Sequence, residues 1–217
     1  VIAAFGMLES PLVEDAMQAQ QDVRAAGYDG AVLEQVKELT DATGRLLASD
    51  FAEGAEELAE LKSKYGDEPW FASVRGEVTG DMLDNPLWAF RFVYENFLGV
   101  GTTWGFEPIP VTQSLDVPAL WVIAADDREA PPQGTLEALA QLQAEGRDIA
   151  VAVFPDADHG ILNYVETPEG REETRYADGY FRLLVDWISQ GSLQERYGSA
   201  RLSESPMTAG ASLDATP

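Results

Sequence analysis

The sequence predicts an α/β fold, part of a mainly parallel sheet with helices on both faces and a helical insertion between its strands. Ala119 to Ala125 and Ile149 to Phe154 are continuous apolar runs of strand length, as expected for strands buried on both sides. A helical face, Leu136, Leu139, Ala140 and Leu142, lies between them and another, Tyr180, Leu183, Leu184, Trp187 and Ile188, follows, and strand–helix alternation of this kind signals a parallel sheet. Upstream, three amphipathic helical patterns stand in a row with no strand between them.

Val1 to Phe5 is a short apolar strand, its apolar character carrying on to Met7. Ser10-Pro11 pairs an N-cap with proline at the first helical position, so a helix follows to Ala26 and stops at Gly27. Val32, Val36, Leu39, Thr43, Leu46 and Leu47 form the next helical face behind Asp29. A third, with Phe51, Leu58, Leu61 and Tyr65, is predicted to open on the capping box Asp50-x-x-Glu53 and to close at Gly66. From Asp67 to Phe106 aromatic residues crowd together, among them Trp70, Trp88, Phe90, Tyr94, Phe97 and Trp104, and Asn85-Pro86 opens a helix to about Leu98. Such a stripe packs a helical subdomain and leaves a ring or two for a cleft. Beyond about Gly198 the Ser, Thr, Ala, Gly and Pro run has no periodicity and is expected to be disordered.

The 217 residues carry 38 Asp and Glu against 14 Lys and Arg, a net charge of -24, with 45% hydrophobic residues to fill a core. So acidic a surface repels phosphate backbones and anionic headgroups, which argues against nucleic acid or membrane as partner. Lysines are confined to Lys37, Lys62 and Lys64, a composition that suits a halophilic source or an ordinary acidic protein alike. Without cysteine there is no disulfide, thiolate metal site or thiol nucleophile, and a single histidine leaves no multi-histidine metal centre, so no cofactor is expected. The opening apolar run is too short for a signal peptide's core and carries no basic residue before it; compartment is not readable.

Chemistry concentrates at two strand ends, where open parallel sheets place their sites. One strand runs into Ala125-Asp126-Asp127, the other into Pro155-Asp156-Ala157-Asp158-His159-Gly160. An imidazole acting as general base needs a carboxylate to hold its tautomer. Asp127 lies one strand–helix–strand unit before His159, so the two can share a sheet edge; Asp126 is its rival, and helix capping is the plainer role for either acid. Asp156-Ala157-Asp158 also admits a weak divalent-metal reading.

The run from Val117 to Pro132, with Asp127 four residues before Pro131, followed by Ala150 to Gly160, resembles the C-terminal part of an α/β-hydrolase of the prolyl oligopeptidase and dienelactone-hydrolase type. Ala124 stands where that pattern usually has glycine. The resemblance implies a serine hydrolase, peptidase or esterase, with Asp127 as triad acid and His159 as triad base, acting on a small ester or peptide. It divides the chain into a hydrolase core at 1–10 and 108–197, a helical cap at 11–107, and a disordered tail at 198–217. It also places Met7, Trp88 and Trp104 at the substrate cleft. The G-x-S-x-G elbow that should present the nucleophile occurs nowhere in the sequence. Family order sets the elbow before the acid and base, so the chain is expected to be a C-terminal fragment, inactive without the missing N-terminal half of the same protein; the alternative is a noncatalytic binding module on the same scaffold.

Overall fold

A computed structural model of the chain describes residues 1–98, 103–168 and 170–204. The chain forms two compact units, one from Val1–Leu8 together with the residues from Pro108 on, the other from Glu9–Glu107.

The first unit is an α/β layer structure. Strands β1 (Ile2–Ala4), β2 (Ala119–Ala124) and β3 (Ile149–Phe154) pair in parallel in the order β1-β2-β3, with Ala3 opposite Trp121 and Ala124 opposite Phe154. Side chains of a strand alternate between faces. Leu120, Val122 and Ala124 therefore join a core with Leu183 and Trp187 of helix α8 (Tyr180–Gln190), while Trp121 and Ile123 join another with Leu139 and Leu142 of α7 (Gln133–Ala144). Helices cover both faces, which is why β2 reads as an unbroken apolar run.

The expected disorder from Gly198 is corrected. Arg201–Glu204 forms a strand, β7, antiparallel to β3 with Val153 opposite Arg201 and Ala150 opposite Glu204. Tyr197 just before it is fully buried and donates its hydroxyl to Asp186 at 2.9 Å. An edge strand is held by backbone pairing and one inward side chain, here Leu202, so it needs little hydrophobic periodicity. The rest of the expected tail, 205–217, lies outside the described residues.

Also unforeseen is a small antiparallel sheet, β4 (Ala157–Asp158), β5 (Leu162–Thr167) and β6 (Gly170–Tyr176). Four charged residues in β6 mask its strand character: both of its faces are largely exposed.

The second unit is helical: α1 (Pro11–Ala25), α2 (Ala31–Ala48), α3 (Ala55–Tyr65), α4 (Thr79–Asp84) and α5 (Leu87–Val93), the last running into a wider helical turn through Leu98. A short helix, α6 (Pro108–Gln113), begins the return to the sheet unit. Ser10 caps α1 as expected, its hydroxyl accepting the Val13 N–H at 3.4 Å. The Asp50 capping box does not form. Asp50 and Phe51 take left-handed backbone conformations, Ser49 Oγ accepts the Glu53 N–H at 3.0 Å, and α3 starts later, after Gly54. The local capping motif is outweighed by the burial of Phe51, whose ring packs edge-on against Tyr94.

The unit is fastened inside by Asp15. Its carboxylate is buried and accepts the Val78 and Thr79 N–H groups at 2.8 and 3.1 Å and the Thr79 hydroxyl at 2.6 Å. Gly76 makes the approach feasible: its φ is +62°, and a Cβ there would lie 2.6 Å from Asp15 Oδ1.

Candidate active site

Both chemical loops leave the carboxyl edge of the parallel sheet. The register that sets Ala124 beside Phe154 makes them neighbours, and the Ala125 N–H to Phe154 and Asp126 N–H to Ala157 hydrogen bonds, at 2.9 and 3.1 Å, extend the pairing past the strands.

The Asp127 side chain turns back on its own loop. Oδ1 accepts the Glu129 and Ala130 N–H groups at 3.0 and 2.7 Å, and only 3% of the residue is exposed. His159 Nδ1 lies 3.2 Å from Oδ1 and 3.1 Å from Oδ2 of this carboxylate. A carboxylate accepts only, so Nδ1 carries a proton toward Asp127 and Nε2 is the nitrogen turned away from it. On the Nε2 side stands the exposed Glu129, with Oε2 at 3.6 Å. Among the described residues no serine hydroxyl is hydrogen-bonded to the ring. Asp126 goes elsewhere: its Oδ2 accepts the Tyr164 hydroxyl at 2.8 Å.

Directly after His159 the backbone turns through two left-handed residues, Gly160 at φ +73° and Ile161 at φ +61°. Glycine accepts this freely, whereas a β-branched residue there is strained by roughly 1–3 kcal/mol. The Ile161 side chain is fully buried and its carbonyl accepts the Ala177 N–H at 2.9 Å, which holds the turn.

Asp158 ties the two loops together. Its Oδ1 accepts the Arg128 N–H at 3.0 Å and the His159 N–H at 2.9 Å, and its Oδ2 meets Arg171 at 2.8 Å. These commitments leave the Asp156-Ala157-Asp158 segment reading as a loop clasp.

The two buried acids respond oppositely to pH. Burial pushes the Asp127 carboxyl above its ordinary value, against the pull of the Ala130 N–H and His159. Burial also acts to raise Asp158, but hydrogen bonds from Arg171 and from the Arg128 and His159 N–H groups prevail and hold it below the ordinary carboxylate value. The native state thus binds the Asp127 proton more tightly than the unfolded chain does; that stabilisation is complete below the unfolded value and lost as pH rises through the native one. Asp158 stabilises above the unfolded value and loses its effect as pH falls through its lowered native one. Asp158→Asn should therefore lower the denaturant midpoint of β2 and β3, read by amide exchange, near neutral pH. The gap to the parent should begin to narrow below about pH 4 and close as pH falls through the lowered native value. A gap that stays constant down to acid would show that the charge of Asp158 contributes nothing.

Of the residues expected at the cleft, Met7 is half-buried at the end of the β1 segment, in the same unit as His159. Trp88 and Trp104 belong to the helical unit, where Trp88 is 76% exposed and Trp104 is a core residue whose Nε1 donates to the Tyr94 hydroxyl. The ring that does meet the imidazole is Phe5, edge-on with centroids 5.3 Å apart. Its signal was its place at the carboxyl end of β1, the same edge from which the two acid-bearing loops emerge. Glu129 gave less: only the tight turn around Asp127 brings it back to the imidazole.

Residues 103–183 match the prolyl oligopeptidase family, of the α/β-hydrolase superfamily. No curated protein and no solved structure matches the chain. The matched segment holds β2, β3, both chemical loops and the β5–β6 hairpin, and the family it matches is of serine-hydrolase type.

Proposed function

Taking residues 103–183 as prolyl oligopeptidase-like, we propose that Asp127 and His159 are the acid and base of a serine hydrolase, peptidase or esterase, whose nucleophile is supplied by sequence outside these 217 residues. The observation that carries this reading is the His159 Nδ1 to Asp127 contact of 3.1 Å, made to a carboxylate buried and held by its own loop. It leaves Nε2 as the free base.

In the complete site, Nε2 takes the proton of the attacking hydroxyl and returns it to the leaving amine or alcohol, while Asp127 stabilises the imidazolium formed in between. No serine in the sequence stands in a G-x-S-x-G turn of the kind that presents the nucleophile in this family. The substrate is a small ester or peptide, and the present chain by itself is inactive, because the members of a triad act as a unit.

A phosphonate probe that reacts only with an imidazole-activated hydroxyl tests this directly. The 217-residue chain should stay unlabelled. A longer chain with an in-frame strand, G-x-S-x-G and helix upstream should label, and lose the label in His159→Ala. Stoichiometric labelling of the 217-residue chain at one serine would overturn the reading, with Ser10 the first site to examine. A longer chain that carries the elbow yet does not label would favour a binding module on the hydrolase scaffold.

A further inference from the structure

Two side chains on adjacent loops meet at the candidate dyad, and loops are soft unless something outside them sets their separation. The β5–β6 hairpin offers such a support through one residue. Arg171, at the start of β6, has a side chain only 15% exposed. Its Nη1 donates to Asp158 Oδ2 at 2.8 Å and to the Asp126 carbonyl at 2.6 Å, and its Nε donates to Glu166 at 2.9 Å. The guanidinium carbon sits 3.8 Å from the Tyr164 ring centroid, and the Tyr164 hydroxyl donates to Asp126 Oδ2 at 2.8 Å.

These bonds fall on both sides of the dyad. The Asp126 carbonyl precedes Asp127, and the Arg128 N–H, held through Asp158, follows it. The same Asp158 carboxylate holds the His159 N–H. One half-buried cation therefore fixes the peptide groups flanking the acid and, through Asp158, the one leading into the base.

We propose that Arg171 is a positioning residue that sets the Asp127–His159 geometry from the hairpin, resting on the dyad reading above. A planar fork suits the task. It reaches a carboxylate and a carbonyl with one nitrogen while its edge bonds a second carboxylate and its face stacks on a ring, which an ammonium cannot reproduce. Burial also separates this pair from the exposed Arg128–Glu166 contact at 3.1 Å, which water and salt screen and which contributes little.

The single histidine makes the test clean, since every imidazole signal in proton–nitrogen NMR belongs to His159. The parent chain should show a slowly exchanging Nδ1 proton that disappears in Asp127→Asn. Arg171→Met should speed its exchange on the order of tenfold or more, the scale of losing a charge-assisted hydrogen bond. The β2 and β3 amides should stay protected, which a general loss of structure would not allow. Arg171→Lys keeps the charge opposite Asp158 but not the fork, so its exchange should fall between the two. An unchanged rate in folded Arg171→Met overturns the proposal, and if that variant does not fold, an unchanged rate in Arg171→Lys does so. A parent chain without an Asp127-dependent proton instead overturns the dyad itself, and with it the role given to Arg171.

Discussion

Asp127→Asn is expected to slow ester hydrolysis by about 10⁴-fold in a chain completed with its nucleophile elbow, the scale on which a triad imidazole held in the wrong tautomer loses rate. Local geometry dictates the direction. Oδ1 is occupied by the Glu129 and Ala130 N–H groups at 3.0 and 2.7 Å, so the amide oxygen of an asparagine keeps that place. Its NH₂ then replaces Oδ2, which lies 3.1 Å from Nδ1. A donor facing Nδ1 drives the ring proton to Nε2, where the base should be free. Acylation measured in a single turnover separates this from substrate binding. A loss of less than about tenfold would mean that the Asp127 contact is structural and that His159 works without it.

Asp15→Ala should destabilise the helical unit by about 3–5 kcal/mol, since it orphans buried donors rather than trimming a contact. The Val78 and Thr79 N–H groups lose their acceptor, and so does the Thr79 hydroxyl, which is also within 2.6 Å of Thr43 Oγ1. Water does not replace the carboxylate easily where both Asp15 and Thr79 are buried. Asp15→Asn should cost less, because one oxygen can still serve both N–H groups. Amide exchange along α1 and α2 measures the effect; equal protection in the parent and Asp15→Ala would show that the segment around Val78 is held by packing alone.

Of the three strands that sequence makes visible, β1 lies at the sheet edge and β2 and β3 are buried on two faces. Ala119–Ala124 and Ile149–Phe154 read as apolar runs because α7 and α8 cover both sides of the sheet, and the chemical loops follow them at once in sequence. Asp127 and His159 were legible for that reason: a parallel strand–helix–strand unit returns both strand ends to one edge whatever the details of the helix. The single histidine narrowed the choice further. The capping of α1 by Ser10 was equally local, and local signals survive folding when nothing competes with them.

Elements held by polar contacts were not legible. Strand β6 is mostly charged and exposed, yet its Arg171 ties together residues far from it in sequence, a partnership no periodicity reveals. Strand β7 lies in a run that looked structureless, since edge pairing is a property of the neighbouring backbone. The Asp50 capping box failed where Phe51 found a core to enter. Sequence by itself therefore determined the α/β class, the buried strands and the carboxylate- and histidine-bearing loops at their ends, because burial and chain direction are written locally. Only the tertiary structure decided between Asp126 and Asp127 at the imidazole, set Phe5 and Glu129 around the ring, and tied Arg171 to Asp126 and Asp158 in the two loops, because a side chain's partner depends on atoms that the chain brings close only when it folds.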